Sequence, residues 1–453
     1  MYDNKKMFIL GMARSGYEVA KLLSSKNCEI LITDMKEQDE NHVQELKQLN
    51  INLIVTDKPE DLLDETFDYV VKNPGIKLDH KVCLKAESLG IPVINELEVA
   101  YHYLPKNTKI IGITGSNGKT TTTTLTYEIL KKANLPVHLG GNIGFPMSSK
   151  IKEMKENEIL VLEIAAQQLH DFKDFKTDIA VLTNLTEVHL DHFKTYENYK
   201  NNKKVIFRHH DDSNIAIINK GDIDSINLTS GIDSKKIYYS SNVEADLYLK
   251  DEAIYYKKEK IINLDDILIK GNHNYENIMC AIAVSKEFNV SNDVIKEVLN
   301  SFTGVEHRLE FVKDVNGRKF YNDSKATNVK STTIALNSFN KPTILLLGGL
   351  DRGHSFDELN EYMKNVKLVV CYGETKERIL DFCHRFNYNC IKVDNLEQAT
   401  KKAYENSSLD DVILLSPACA SWDQYKCFED RGLEFKNIIN RIGWFYENKR
   451  YQR

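Results

Sequence analysis

At 453 residues the chain is too long for one compact core and, at ~150 residues per domain, implies about three domains. Hydrophobic residues make up 42% and charged residues 28%, with a net charge of −6; this fits a globular protein and argues against a nucleic-acid-binding surface. The eight cysteines show no C-x-x-C spacing, which disfavours a disulfide scaffold and a structural zinc site, and no apolar run nears the ~20 residues that span a bilayer. A cytoplasmic protein with reduced thiols, outside the membrane, is the expectation.

The first predicted elements lie in KMFILGMARSGYEVAKLLSSKNCEILITD. An apolar strand, a glycine turn, an amphipathic helix and a second strand ending in Asp34 make a βαβ unit. The turn resembles half a dinucleotide-binding fingerprint, but Ala13 stands where the second glycine belongs. A structural turn and a nucleotide site are therefore both open. A strand in FDYVVKNPGI ends in an Asn-Pro-Gly turn, and YLPKNT reads as a linker closing a first α/β domain over 1–105.

KIIGITGSNGKTTTTTL then gives a strand, a glycine loop and a threonine-rich helix start. A phosphate loop needs glycines where backbone N–H groups converge on phosphate, a lysine for the terminal phosphates and a hydroxyl for Mg²⁺. Gly118-Lys119-Thr120 fits the end of the usual pattern, while Ile113 occupies its first glycine position. The loop is a shorter form, Gly115-Ser116-Asn117-Gly118-Lys119-Thr120. β-branched threonines are poor helix formers, so their presence at a helix start favours phosphate binding over a plain turn.

Further strands are expected at EILVLEIA, DIAVLTNL and SNIAIINK, with hairpins or peripheral strands over 219–265 and a helix at NHNYENIMCAIAVSKEFN. Glu163 ends one strand and His189 follows another, where parallel sheets face their ligands. Each also reads as an ordinary helix-capping or surface residue. SFTGVEHRLEFV marks a second boundary, giving segments 106–302 and 303–453. The last segment has strands at PTILLLGGL, VKLVVCYG and DVILLSPA, and polar stretches YNDSKATN and SPACASWDQYKCFEDRG at strand ends.

Together, TGSNGKTT, GNIG, TNLTEVHLD, GNHNYEN, HRLE, NDSKATN, GGLDRG and SPACASWDQYKCFEDRG resemble, in order and over nearly the whole chain, the Mur ligases of bacterial cell-wall synthesis. The shortened phosphate loop is that family's own form, and the last two stretches are most specific to members that add D-glutamate. The resemblance implies an α/β fold of three domains: a Rossmann-like domain for the UDP-substrate, a central P-loop ATPase-type domain, and a Rossmann-like domain for the amino acid. It implies an ATP-dependent amide ligase, working as a monomer on UDP-N-acetylmuramoyl-L-alanine and D-glutamate through an acyl phosphate.

By the same resemblance, Gly115, Ser116, Asn117, Gly118, Lys119, Thr120 and Thr121 would cradle ATP, with Asn274 and Asn277 on the adenine side and Arg308, Asp323 and Lys325 as further ATP contacts. Thr120, Glu163, His189 and Lys203 would serve two Mg²⁺ sites. Lys203 matches a lysine carbamylated in the family, although the residues alone place it among four lysines on a solvated helix face. Ser15, Gly16, Asp34, Lys36, Gly75, Asn142 and Gln168 would meet the UDP-substrate, and Thr327, Arg352, Ser421 and Phe428 the D-glutamate. Lys119, Lys203, His189, Glu163 and Lys325 are the expected catalytic set. One departure is clear: the family run E-L-S-S-F-Q-L is here Glu163-Ile164-Ala165-Ala166-Gln167-Gln168-Leu169, without its two hydroxyls and aromatic ring.

Overall fold

The computed structural model describes residues 1–450, so the last three residues of the 303–453 segment lie outside the described residues. Two compact units result: Met1–Ile267 with Asn272–Asn300, and Leu268–Gly271 with the described residues from Ser301 on. The first unit contains two sheets and the second contains one.

The apolar runs read from the sequence form buried parallel strands, most of them followed by a helix. In the first sheet β1 (Lys6–Leu10), β2 (Glu29–Asp34), β3 (Asn52–Val55), β4 (Tyr69–Lys72) and β5 (Val93–Ile94) lie in the order β3-β2-β1-β4-β5, all parallel. Gly16 opens the helix Arg14–Ser24 against the strand end: a Cβ there would collide with the Gly11 carbonyl.

The second sheet comprises β6 (Lys109–Thr114), β7 (Val137–Gly141), β8 (Ile159–Glu163), β9 (Ile179–Leu182), β10 (Ile215–Asn219), β11 (Lys235–Ser240), β12 (Leu247–Lys250), β13 (Ala253–Tyr256) and β14 (Glu259–Asn263). Their order is β14-β13-β12-β11-β10-β9-β6-β8-β7. The strands from β7 to β12 pair in parallel, and the expected peripheral hairpins are the antiparallel β12–β13–β14 edge. The helix Lys119–Lys132 forms despite its threonines. Thr122, Thr123 and Thr126 are wholly buried, and Thr123 Oγ1 returns a 2.8 Å hydrogen bond to the Lys119 carbonyl.

The third sheet has β15 (Glu310–Val315), β16 (Arg318–Asn322), β17 (Thr343–Gly348), β18 (Val366–Tyr372), β19 (Cys390–Lys392) and β20 (Val412–Leu415) in the order β15-β16-β20-β17-β18-β19. Only β15 runs antiparallel. All eight cysteines are free, and among the described residues no helix is long and apolar enough to cross a membrane.

Candidate active site

The glycine loop leaves β6 and is held from the side by the segment that follows β9. Ser116 N donates to the Asn184 carbonyl (2.9 Å), Asn117 N to Asn184 Oδ1 (3.0 Å), and Thr183 Oγ1 to the Asn117 carbonyl (2.6 Å). Gly115 has φ +146° and Gly118 φ +80°. A Cβ at Gly115 would strike Thr183 Oγ1, and one at Gly118 would strike Asn277 Oδ1. Both positions therefore demand glycine by conformation and by space. The loop ends at a helix N-terminus, where backbone N–H groups favour an anion. Lys119 Nζ lies 3.0 Å from the carbonyls of both Gly115 and Ser116. Thr120 and Thr121 begin the helix and are buried. Asn274 opens the helix Asn272–Glu287, and Asn277 accepts from Thr122 Oγ1 at 3.3 Å, so Asn277 packs against the phosphate loop itself.

Beside this loop lie two buried charged residues, Glu163 and Lys203. Glu163, at the end of β8, is 2% exposed; Asn142 Nδ2 donates to its Oε1 at 2.7 Å, while its Oε2 is buried with no hydrogen-bond partner. An orphaned carboxylate oxygen is costly unless a cation or donor completes it. Lys203 lies on the helix Tyr196–Lys204 and is completely buried, so the solvated-face alternative is wrong: the helix turns this residue inward to Thr114 Oγ1, 2.7 Å from its Nζ. Burial, reinforced by the Lys119 charge and only partly opposed by Glu163, holds the Lys203 ammonium well below the usual lysine range.

His189 has φ 58° and caps the short helix Leu190–Phe193; it is exposed, with its ring 6.3 Å from that of Tyr199. Tyr199 escaped the sequence reading. It is 1% exposed, its hydroxyl is 3.0 Å from Ser116 Oγ, and its ring carries Lys203 Nζ at 5.5 Å. An aromatic residue inside the polar run YENYKNNKK gives no signal of burial.

At the Ala165-Ala166 departure the turn is held by other groups. Gln168 Oε1 accepts from Ala165 N (2.8 Å), and Asn202 Nδ2 donates to the Ala166 carbonyl (2.7 Å). Gln168 Oε1 is thus committed to the turn, which Asn95 Nδ2 also holds through the Gln168 carbonyl at 2.5 Å. In the first sheet, Asp34 accepts from Met12 N (2.8 Å) and Lys36 N (3.1 Å). Asn73 bridges the two glycine turns, donating to Ser15 Oγ (3.2 Å) and accepting from Gly75 N (3.3 Å). Ser15, Gly16, Asp34, Lys36 and Gly75 therefore meet at one end of that sheet, beyond the carboxyl ends of its strands.

In the second unit, three loops leave the carboxyl ends of β16, β17 and β20. Asp323 is buried, with Oδ2 accepting from Ser416 Oγ (2.7 Å) and Oδ1 from Leu309 N (3.2 Å); burial pushes its carboxyl up to about 7. Arg308, exposed, contributes a partly offsetting positive charge. Lys325 Nζ stands 5.6 Å over the Phe428 ring, and Thr327 N bonds the Lys325 carbonyl at 2.9 Å. Ser421 is 1% exposed, with Oγ unpartnered. Arg352 stacks its guanidinium 4.8 Å from the Trp422 ring. A second residue escaped the sequence reading: Arg431, 1% exposed, donates to Ser324 Oγ (3.0 Å), the Ser324 carbonyl (2.8 Å) and the Cys419 carbonyl (3.0 Å). It pins the β16 loop to the β20 loop.

Three family domains match in the order of the sheets: the Mur ligase MurD-like N-terminal domain over residues 5–95, the Mur ligase middle domain over 113–285, and the Mur ligase glutamate ligase domain over 307–419. The chain belongs to the Mur ligase family. This Mur ligase is 41% identical over 445 residues to the UDP-N-acetylmuramoylalanine--D-glutamate ligase of Bacillus cereus (strain AH820), covering 97% of this chain and 98% of the relative. It is 42% identical over 446 residues to the enzyme of the same name from Geobacillus kaustophilus (strain HTA426), with the same coverage. Its fold matches UDP-N-acetylmuramate-alanine ligase from Thermotoga maritima, with a TM-score of 0.60 at 16% identity over 96% of this chain and 99% of that one. MurF ligase from Thermotoga maritima, solved with ADP, gives a TM-score of 0.56 at 18% identity over 97% and 96%.

Proposed function

We propose that this Mur ligase joins D-glutamate to the alanyl carboxylate of UDP-N-acetylmuramoyl-L-alanine, with cleavage of ATP to ADP and phosphate, in peptidoglycan precursor synthesis. The observation that carries the reading is the glycine phosphate loop set beside a buried Lys203 and an orphaned Glu163 oxygen. Relatives named for this reaction align over 97% of the chain.

A carboxylate oxygen of the substrate attacks the γ-phosphorus, ADP leaves, and an acyl phosphate forms. The D-glutamate amine then attacks the acyl carbon, and inorganic phosphate departs with the oxygen that had attacked phosphorus. Such transfers depend on positioning and charge neutralisation more than on covalent help from the protein. Loop N–H groups and Lys119 bind the β- and γ-phosphates. Asn274 and Asn277 sit on the helix beside the loop, and Arg308, Asp323 and Lys325 are the ATP contacts proposed for the C-terminal segment.

The donor set fits a hard cation: Glu163 Oε2 is a buried anionic oxygen without a donor, and Thr120 offers a hydroxyl at the loop end. Two Mg²⁺ ions would be held, one by Thr120 and one by Glu163, His189 and a carbamylated Lys203. Magnesium would supply neutralisation of the charge on the phosphates and the acceptor carboxylate. A lysine amine is carbamylated only when neutral, which is the state that burial favours at Lys203.

Segment 1–105 takes the UDP end through Ser15, Gly16, Asp34, Lys36 and Gly75. Segment 106–302 takes ATP and, through Asn142 and Gln168, the sugar–peptide end. Segment 303–453 takes D-glutamate through Thr327, Arg352, Ser421 and Phe428. The protein acts as a cytoplasmic monomer. Phosphate release measured with ATP, Mg²⁺ and each acceptor tests this: release requires both UDP-N-acetylmuramoyl-L-alanine and D-glutamate, and equal release with either one omitted would overturn it.

A further inference from the structure

Arg352 and Trp422 sit on different loops, those following β17 and β20, which are joined by a bridge at Leu350 and Ala420 with Leu350 N donating to the Ala420 carbonyl at 2.9 Å. The Arg352 guanidinium lies 4.8 Å from the indole centroid. No acid of the chain pairs with it among the described residues: Asp351 is taken by Arg378, and Asp423 accepts from Glu374 N at 3.2 Å. Trp422 is 64% exposed, so its indole contributes little to the core. Its chain neighbour Ser421 is buried with an unsatisfied hydroxyl, a second polar group awaiting a partner.

We propose that Trp422 is a positioning residue that holds the Arg352 guanidinium flat, so that its edge grips the side-chain carboxylate of the incoming amino acid, and that the pair sets the requirement for that second carboxylate. This rests on the reading of the β17 and β20 loops as the amino-acid site. A free arginine side chain loses rotamer freedom on binding, and stacking on an aromatic face removes much of that cost beforehand. It also orients a planar fork of N–H donors that matches a carboxylate in two-point fashion, which a lysine at this position cannot reproduce.

The chain has two tryptophans, Trp422 and Trp444, so in a Trp444→Phe background Trp422 reports alone. Titrating that full-length protein with D-glutamate, in the presence of UDP-N-acetylmuramoyl-L-alanine and a non-hydrolysable ATP analogue, should change the fluorescence saturably. D-norvaline, which lacks the side-chain carboxylate, should not. In steady-state assays Trp422→Ala should raise the D-glutamate KM about tenfold. The KM values for ATP and the UDP-substrate and kcat should be little altered, Trp422→Phe should restore most of the loss, and Arg352→Lys should not. A wild-type D-glutamate KM in Trp422→Ala, alongside a raised one in Arg352→Ala, overturns the positioning role and leaves the ligase reading standing. A wild-type enzyme that turns over no D-glutamate overturns both.

Discussion

Lys203 Nζ lies 2.7 Å from Thr114 Oγ1, the last residue of the strand that feeds the phosphate loop, with no water access to its side chain. A lysine in this setting is a poor cation and a good neutral amine. The helix Tyr196–Lys204 carries three lysines, and only burial and the bond to Thr114 of β6 distinguish this one.

Replacing Lys203 with alanine should reduce turnover at least ~100-fold, in line with removal of one preorganised electrostatic group. Short-chain carboxylic acids added to Lys203→Ala should return part of the activity, since they supply the oxygens of the carbamate. Rates with and without acetate or formate check this. Full activity without rescue would rule out the carbamate.

Gly118→Ala should impair both folding and nucleotide binding. Its αL backbone costs an L-residue roughly 1–2 kcal/mol, and the added methyl would meet Asn277 Oδ1. Calorimetric titration with ADP should show at least about tenfold weaker binding, because the loop N–H groups lose their convergence. Adding Asn277→Ala relieves the collision but not the backbone strain, so only partial recovery is expected.

Much of this was legible in the sequence. Apolar runs bounded by glycine turns mark the parallel strands, because strands buried on both faces must be apolar throughout. The phosphate loop is legible because its glycines, lysine and threonine follow a strand directly. What the sequence hides is burial of polar residues. Arg431 and Lys203 look like solvated cations, since charged residues are seldom buried unpaired. Tyr199 sits in a run with no apolar period. Each acquires its role from partners distant in the chain: Ser324 and Cys419 for Arg431, Thr114 for Lys203, Ser116 for Tyr199.

Arg431→Lys keeps the charge but cannot bond both loops. Loss of hydrogen bonds to a charged group should destabilise the protein by about 2–4 kcal/mol and raise the KM for D-glutamate. Urea unfolding and steady-state kinetics read the two effects separately. Unchanged values in both would mean the clamp is dispensable.

A pH prediction comes from Glu96, 3% exposed, which accepts from Ser148 N at 2.5 Å. Burial raises its carboxyl to about 7, against ~4.3 for an unfolded glutamate. The folded state therefore holds more protons between those values, and its stability falls as pH rises from ~4.3 through about 7. Glu96→Gln stays neutral and retains an acceptor for Ser148 N. Its Tm should match the wild type near about pH 4 and exceed it near about pH 8, where the wild-type group is ionised. An equal Tm difference at both pH values would contradict this.

The most direct measurement follows the oxygen that ATP activates. UDP-N-acetylmuramoyl-L-alanine labelled with ¹⁸O in its alanyl carboxylate is turned over with ATP and D-glutamate, and the released phosphate is analysed by mass spectrometry. One labelled oxygen per phosphate, with the other retained in the new amide, is the result the acyl-phosphate account predicts. Unlabelled phosphate accompanying amide formation would contradict it.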